Sequence, residues 1–126
     1  MTGVQTCALP ISANTPPIVR EFLDYYDTSR GKHHNSTGWY SFTSLAPMMN
    51  FFPFVQIETI SPRPILMIVG ERAESAYFSE AAYGKAAQPK ELFVVAGATH
   101  VDLYDRPQYV GQAIEKLAKF YGQYLA

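Results

Sequence analysis

The chain has 126 residues, of which 48% are hydrophobic, and its formal net charge at pH 7 is −1. This length corresponds to one ordinary domain with enough apolar residues for a buried core, and the near-neutral charge offers no basic surface to nucleic acid. Every apolar run is interrupted before the roughly 18 residues that a membrane-spanning helix needs, so we expect a cytoplasmic protein without a membrane or nucleic-acid partner.

The first twelve residues differ in character from the rest of the chain. Residues 4–11 (VQTCALPI) look like the conceptual translation of a sequencing-adapter oligonucleotide, of the kind left at broken ends of genes assembled from short reads. They lack the charged start and long apolar core of a signal peptide. We therefore expect residues 1–12 to be a non-native leader that precedes the C-terminal portion of a longer protein, residues 13–126. The single cysteine, Cys7, lies in this leader and excludes an intramolecular disulfide.

The first native segment has the pattern of one helix followed by a loop. Thr15 is placed to cap a helix from Pro16 to Asp27, because proline is tolerated in the first turn and an apolar stripe follows. Residues 32–40 have no hydrophobic period, which predicts a loop. Two adjacent histidines in it lack a third ligand at the spacing of a zinc site, so we expect no metal.

Residues 31–61 have the composition of a cap or lid. Apolar side chains crowd residues 42–54, where two prolines divide the chain into short helical pieces. Flexible methionines and aromatics suit apolar ligands of varied shape, but the same composition is typical of core packing, which we expect for most of them. Residues 55–61 predict a further short helix.

Two apolar runs in the C-terminal half predict buried strands. Residues 64–70 (PILMIVG) and 92–96 (LFVVA) are rich in β-branched or aromatic residues, as in parallel strands covered on both faces. Two strands alone do not form a stable sheet of this kind. We therefore expect the remaining strands to come from upstream sequence or from a partner.

Helical patterns follow both strands. Residues 75–87 predict a helix capped by Ser75 or Ser79, and Pro107 opens a last helix with apolar residues at helical spacing. The order strand, helix, strand, helix predicts at least one right-handed parallel crossover.

The second strand leads to a histidine. Gly97 ends the strand, and His100 follows three residues later. Open α/β sheets form their ligand crevice at the carboxyl ends of the strands, which is where this pattern places the imidazole. His100 is therefore a candidate catalytic base, or else a loop histidine hydrogen-bonded to a neighbour such as Asp102.

These elements, with the run from Gly97 to Asp105 (GATHVDLYD), resemble the C-terminal portion of the α/β-hydrolase superfamily, and within it the dienelactone-hydrolase-like esterase branch. The resemblance covers residues 15–126. It implies an α/β fold with parallel strands, flanking helices and an incomplete sheet. It also implies a catalytic order of nucleophile, acid and then histidine.

Carried over by position, His100 corresponds to the catalytic base, which takes a proton from the nucleophile and returns it to the leaving group. Family members commonly carry the acid three or four residues after the glycine that ends the preceding strand. Ala73 and Glu74 stand there, so the resemblance implies Glu74. The competing carboxylates are Glu71, Asp102 and Glu80.

The nucleophile is absent from the chain, because no serine stands in a Gly-x-Ser-x-Gly elbow. We expect the chain alone to be inactive, and its parent protein to hydrolyse an ester-type bond of a small molecule without a cofactor. One alternative is a non-catalytic α/β module that binds a ligand or a partner. Another is a piece cut by gene assembly that has no function of its own. The oligomeric state stays open.

Overall fold

The computed structural model describes residues 3–5, 12–36 and 39–125, which fall into two compact units, residues 1–52 and 53–126. Most of the expected leader, including Cys7, lies outside the described residues. Within the leader, Gly3–Gln5 forms a short strand, β1.

The N-terminal unit combines one helix with an antiparallel strand pair. Helix α1 spans Pro17–Tyr26, close to its predicted bounds, and strand β2, Trp39–Ser41, pairs with β1. The predicted loop over residues 32–40 was therefore wrong at its last two positions. Aromatic residues have a high strand propensity, and here a partner strand accepts their backbone hydrogen bonds.

The start of α1 also differs from the prediction. The N-cap position is Pro16, and no side chain caps the helix. The hydroxyl of Thr15 instead accepts a hydrogen bond from the Ser12 amide at 2.9 Å, in the turn before the helix. A capping hydroxyl on Thr15 would accept from the amide of residue 17 or 18, and Pro17 has no N–H to donate.

The apolar segment after β2 is mostly exposed, contrary to the expectation of core packing. It forms a 3₁₀ turn, Phe42–Ser44, and a five-residue helix, α2, Leu45–Met49. The exposed fraction is 78% for Met49 and 71% for Phe51. Helical pieces this short do not build one continuous apolar stripe, so their side chains point in several directions.

The C-terminal unit is built on two parallel strands. Strand β3 spans Ile65–Gly70, and strand β4 spans Lys90–Val95. Their register pairs the first residue of one with the first of the other, and Gly70 with Val95 at the end. Helix α3, Ala76–Lys85, connects them as the crossover that the element order predicted. The unit thus has a small α/β fold with a two-stranded parallel sheet and flanking helices.

The other elements of this unit flank the strand pair. A 3₁₀ helix, Ile57–Ile60, precedes β3, where residues 55–61 had predicted a short helix. A one-turn helix, α4, Asp102–Asp105, and the long helix α5, Pro107–Tyr124, follow β4. No helix in the described ranges has the length and apolar character needed to cross a bilayer.

Burial increases toward the carboxyl ends of the strands. Most strand residues are only half-buried, and Val94 is 48% exposed, so the expected coverage on both faces was wrong. Within the described residues the sheet has only two strands, and each has one paired edge. By contrast, Val95 at the end of β4 is fully buried, as are Ala98 and Val101 beyond it. The most deeply buried residues therefore lie at the end of β4 and in the loop that follows it, while Ile57, Ala82 and Ala86 form a separate buried cluster.

Candidate functional site

The loops that follow the two strands are hydrogen-bonded to each other. We name residues 71–75 the β3 loop and residues 96–101 the β4 loop. The backbone amide of Glu71 donates to Val95 O at 3.0 Å, and that of Arg72 donates to Ala98 O at 2.9 Å. In return, the amide of Gly97 donates to the Glu71 carboxylate at 2.8 Å. The two loops therefore support each other at the carboxyl end of the sheet.

A glycine lets the β4 loop cross the end of β3 at close range. A Cβ atom on Gly70 would lie 2.4 Å from the carbonyl oxygen of Ala98 and 2.7 Å from that of Thr99. Both are backbone atoms, which cannot rotate away as a side chain can. Gly70 thus fixes how closely the loop carrying His100 approaches the strand.

A second glycine sets the turn of the β4 loop. Gly97 has φ of +72°, a left-handed conformation, and a Cβ there would meet only the Tyr109 hydroxyl, at 3.7 Å. Gly97→Ala should therefore destabilise the protein through backbone strain, by about 1–2 kcal/mol. Urea unfolding of the wild type and the variant measures this difference. Gly97→Asn is the matched control and should lose less stability, because asparagine tolerates the left-handed conformation. Equal losses of stability in the two variants would contradict backbone strain as the cause.

The imidazole of His100 is held through both ring nitrogens. Nδ1 lies 2.6 Å from the hydroxyl of Ser75 in the β3 loop, and Nε2 lies 2.7 Å from the hydroxyl of Tyr104 in α4. The Tyr104 ring packs against the imidazole edge to face, with centroids 5.4 Å apart. The half-buried ring therefore has a defined orientation between two separate elements.

Ser75 uses its hydroxyl differently from the prediction. It occupies the N-cap position of α3, but no side-chain hydrogen bond caps that helix. Serine at this position normally accepts from a backbone amide of the first turn. The prediction of Ser75 or Ser79 as the cap is therefore confirmed for the N-cap position, which is Ser75, but the Ser75 hydroxyl is bonded to His100 and makes no capping bond.

Among the described residues, none of the four carboxylates considered from the sequence is hydrogen-bonded to His100. Glu74 is exposed and, among the described residues, makes no hydrogen bond or ion pair, so its role as the acid stays a prediction. Asp102 accepts from the Thr99 amide at 3.0 Å and lies 3.8 Å from Arg106 Nε, which leaves it bonded to the loop backbone and not to His100. Glu71 accepts from Gly97, as described above, and Glu80 is exposed on α3.

A cavity of about 450 Å³ opens beside the His100 ring. This volume lies within the range of small-molecule sites, which are mostly apolar with a few convergent polar groups. The polar lining residues are Ser75, Ser79, His100 and Tyr104. The apolar lining residues are Ile68, Val69, Gly70, Ala73, Phe78, Leu103, Ala113 and Leu117. The cavity can hold a small apolar group next to an imidazole.

The paired histidines of the N-terminal unit form no comparable arrangement. The rings of His33 and His34 lie 4.3 Å apart, and His33 Nδ1 accepts from the Asn35 amide at 3.2 Å. Across residues 12–36 and 39–125, no three potential ligands cluster as a metal would require. A contribution of residues 31–54 to substrate recognition, through their aromatic side chains, stays a prediction.

The contacts of Tyr104 and Ser75 with His100 were not predicted from the sequence. Tyr104 stands four residues after His100, and this spacing could have indicated a contact within a helical turn. Ser75 lies 25 residues before His100, and only the pairing of β3 with β4 brings the two together. No local signal could have found that contact.

The chain is similar to two uncharacterised bacterial proteins. It is 47% identical over 108 residues to PA2218 of Pseudomonas aeruginosa and 32% identical over 108 residues to YcjY of Escherichia coli. These alignments cover 83% and 85% of this chain but 29% and 35% of the relatives. The chain thus spans about a third of the length of the curated relatives that it matches. No family model matches it.

A solved structure has the same fold. The crystal structure of the hypothetical protein PA2218 superposes with a TM-score of 0.82 at 43% sequence identity. The match covers 90% of this chain and 36% of that one. The α/β arrangement described above is therefore shared with a crystallised relative.

Proposed function

We propose that the chain is the C-terminal part of an α/β-hydrolase that cleaves ester-type bonds, with His100 as its catalytic base. The observation that carries this proposal is the placement of the His100 ring. It sits just beyond the carboxyl ends of two parallel strands, is held by groups from two elements, and borders a cavity of about 450 Å³. This is the location where open α/β sheets bind their ligands.

Ester hydrolysis through an acyl-enzyme requires an imidazole held in a fixed orientation. A serine or cysteine nucleophile is activated when a neutral imidazole accepts its proton, and the same proton later goes to the leaving group. A third group on the other ring nitrogen fixes the tautomer. The resemblance assigns that group to the β3 loop, which carries Glu74 and also provides the observed bond from Ser75. No cofactor takes part in such an acyl transfer.

The nucleophile would come from sequence outside this chain. No serine of the chain lies in a nucleophile elbow, and the relatives are about three times as long as the aligned segment. The full-length protein therefore has room for an elbow and for the amides of an oxyanion hole. The mostly apolar cavity lining favours a substrate with an apolar acyl or alcohol group.

The test is hydrolysis of p-nitrophenyl acetate and butyrate by the full-length protein that contains residues 13–126. We expect turnover above the spontaneous rate, and labelling by a fluorophosphonate at a serine in a Gly-x-Ser-x-Gly sequence outside those residues. Should that nucleophile be a cysteine, iodoacetamide would label it instead. The 126-residue chain assayed in parallel should show only the spontaneous rate. A full-length protein with neither turnover nor a labelled nucleophile would remove the hydrolase proposal.

One observation favours a second candidate, a binding module without turnover. Both ring nitrogens of His100 already have protein partners, which suits a rigid ligand site as well as a catalytic one. In that case small apolar esters and acids would bind the full-length protein and shift its melting temperature, but they would be recovered unchanged.

A further inference from the structure

The bond between Ser75 and His100 joins the two loops of the site directly. The hydroxyl lies 2.6 Å from Nδ1, and both residues line the cavity. We infer that Ser75, and not Glu74, is the positioning residue that holds the catalytic tautomer of His100. This inference rests on the proposed hydrolase function.

The local structure at Ser75 is specialised for this contact. Ser75 stands at the N-cap of the ten-residue helix α3, where its hydroxyl could have accepted from a first-turn amide, and it does not do so. The side chain is half-buried and directed across the sheet end. A serine that leaves the cap unmade and bonds an imidazole from the neighbouring loop is placed to orient that imidazole.

The two bonds of the ring fit either neutral tautomer, because the Ser75 and Tyr104 hydroxyls can each donate or accept, and we infer the tautomer with the proton on Nδ1. If Nδ1–H donates to Ser75 Oγ, then Nε2 carries the lone pair and accepts from the Tyr104 hydroxyl. Nε2 is then the nitrogen that serves as the base, and a nucleophile's hydroxyl must replace the Tyr104 hydroxyl there before it donates its proton. As the acceptor from Nδ1–H, Ser75 holds the ring in that tautomer.

Glu74 is less suited to this task. Its side chain is exposed and, among the described residues, has no hydrogen-bond partner, while the adjacent residue already occupies Nδ1. A carboxylate would stabilise the imidazolium by charge, whereas a hydroxyl offers only a dipole. The effect of losing Ser75 should therefore be moderate, and adding a negative charge at its position should change the pH dependence.

The test compares variants of the full-length protein in p-nitrophenyl acetate hydrolysis over a range of pH. Ser75→Ala should lower kcat by about 10-fold with little change in KM, which corresponds to the loss of one neutral hydrogen bond. Ser75→Thr should restore most of kcat. Ser75→Asp should raise the apparent pKa of the basic group in the profile of kcat/KM, because a carboxylate favours the protonated ring. Glu74→Gln should behave as the wild type, and so should the control Ser29→Ala, which changes an exposed serine of the N-terminal unit.

The outcomes separate this inference from the proposed function. Normal turnover in Ser75→Ala, with none in His100→Ala, would overturn the role of Ser75 and leave the hydrolase intact. If kcat fell as far in Glu74→Gln as in His100→Ala, Glu74 and not Ser75 would be the residue that positions His100. Fluorophosphonate labelling of Ser75 would make it the nucleophile and overturn its positioning role. Full activity of His100→Ala would overturn both proposals.

A readout that needs no activity completes the test. ¹⁵N chemical shifts of the His100 ring report which nitrogen carries the proton. In the wild type we expect Nδ1 to be protonated in the neutral ring, and in Ser75→Ala we expect a shift toward protonation at Nε2. Identical tautomer populations in the two proteins would contradict the inference.

Discussion

Full-length protein with His100→Ala should hydrolyse p-nitrophenyl acetate about 10⁴-fold more slowly than the wild type. In the proposed mechanism the variant removes the group that takes the nucleophile's proton, and the remaining rate would come from substrate binding and the oxyanion hole. The loss should fall on kcat more than on KM, because the imidazole acts in the transition state. Stopped-flow or steady-state kinetics at pH 7 to 8 measures both constants.

His33→Ala is the matched control, since His33 is an exposed histidine of the N-terminal unit. It should leave kcat unchanged. Thermal melting of His100→Ala shows whether the lost bonds to Ser75 and Tyr104 unfold the protein. Added imidazole should restore part of the rate to a folded variant. Near-normal turnover by a folded His100→Ala protein would exclude this residue from the mechanism.

Gly70→Ala is expected to give the largest loss of stability, about 3 kcal/mol in the free energy of unfolding. The new methyl group would meet the Ala98 carbonyl oxygen at 2.4 Å, and relief requires movement of the β4 loop. That movement weakens the bond from the Arg72 amide to Ala98 and carries His100 away from Ser75. Urea unfolding and ester hydrolysis should therefore both be affected.

Gly84→Ala serves as the control for Gly70→Ala. Gly84 lies inside helix α3, and a Cβ there meets nothing within 4 Å. Alanine should stabilise that helix by up to about 1 kcal/mol, because it lowers the entropy of the unfolded chain and favours the helix. If Gly70→Ala proved as stable as Gly84→Ala, the close crossing of strand and loop would be wrong.

The periodic elements of the C-terminal unit were predictable from the sequence. Pro107 begins α5 as expected. The proline ring presets the helical φ, and the missing N–H costs no hydrogen bond, because the first N–H groups of a helix have no partner within it. The two apolar runs became parallel strands joined by a helix, and the glycine after the second strand leads into the loop that carries His100. These features depend on secondary-structure propensity and on hydrophobic pattern, both of which can be read from a single sequence.

Burial and side-chain partners were less predictable. The apolar character of Met49 and Phe51 indicated a core, but a residue is buried only where another element covers it. The resemblance implied Glu74 from its sequence position after Gly70, and this stays a prediction, whereas the residue observed at His100 Nδ1 is the neighbouring Ser75. Adjacent residues in a loop point in different directions, and spacing along the chain does not determine which one reaches a ring on another loop.

The reciprocal hydrogen bonds between the β3 and β4 loops make the two segments open together. Release of the Gly97 amide from Glu71 frees the carboxylate, and release of Arg72 from Ala98 removes the support of the segment that carries His100. Because Ala98 and Val101 in the β4 loop are almost fully buried, the two loops should open only near the free energy of global unfolding, and their amide protons should exchange with solvent as one slow cooperative unit. Warming that disorders the imidazole should therefore also unfold the strand ends that carry it.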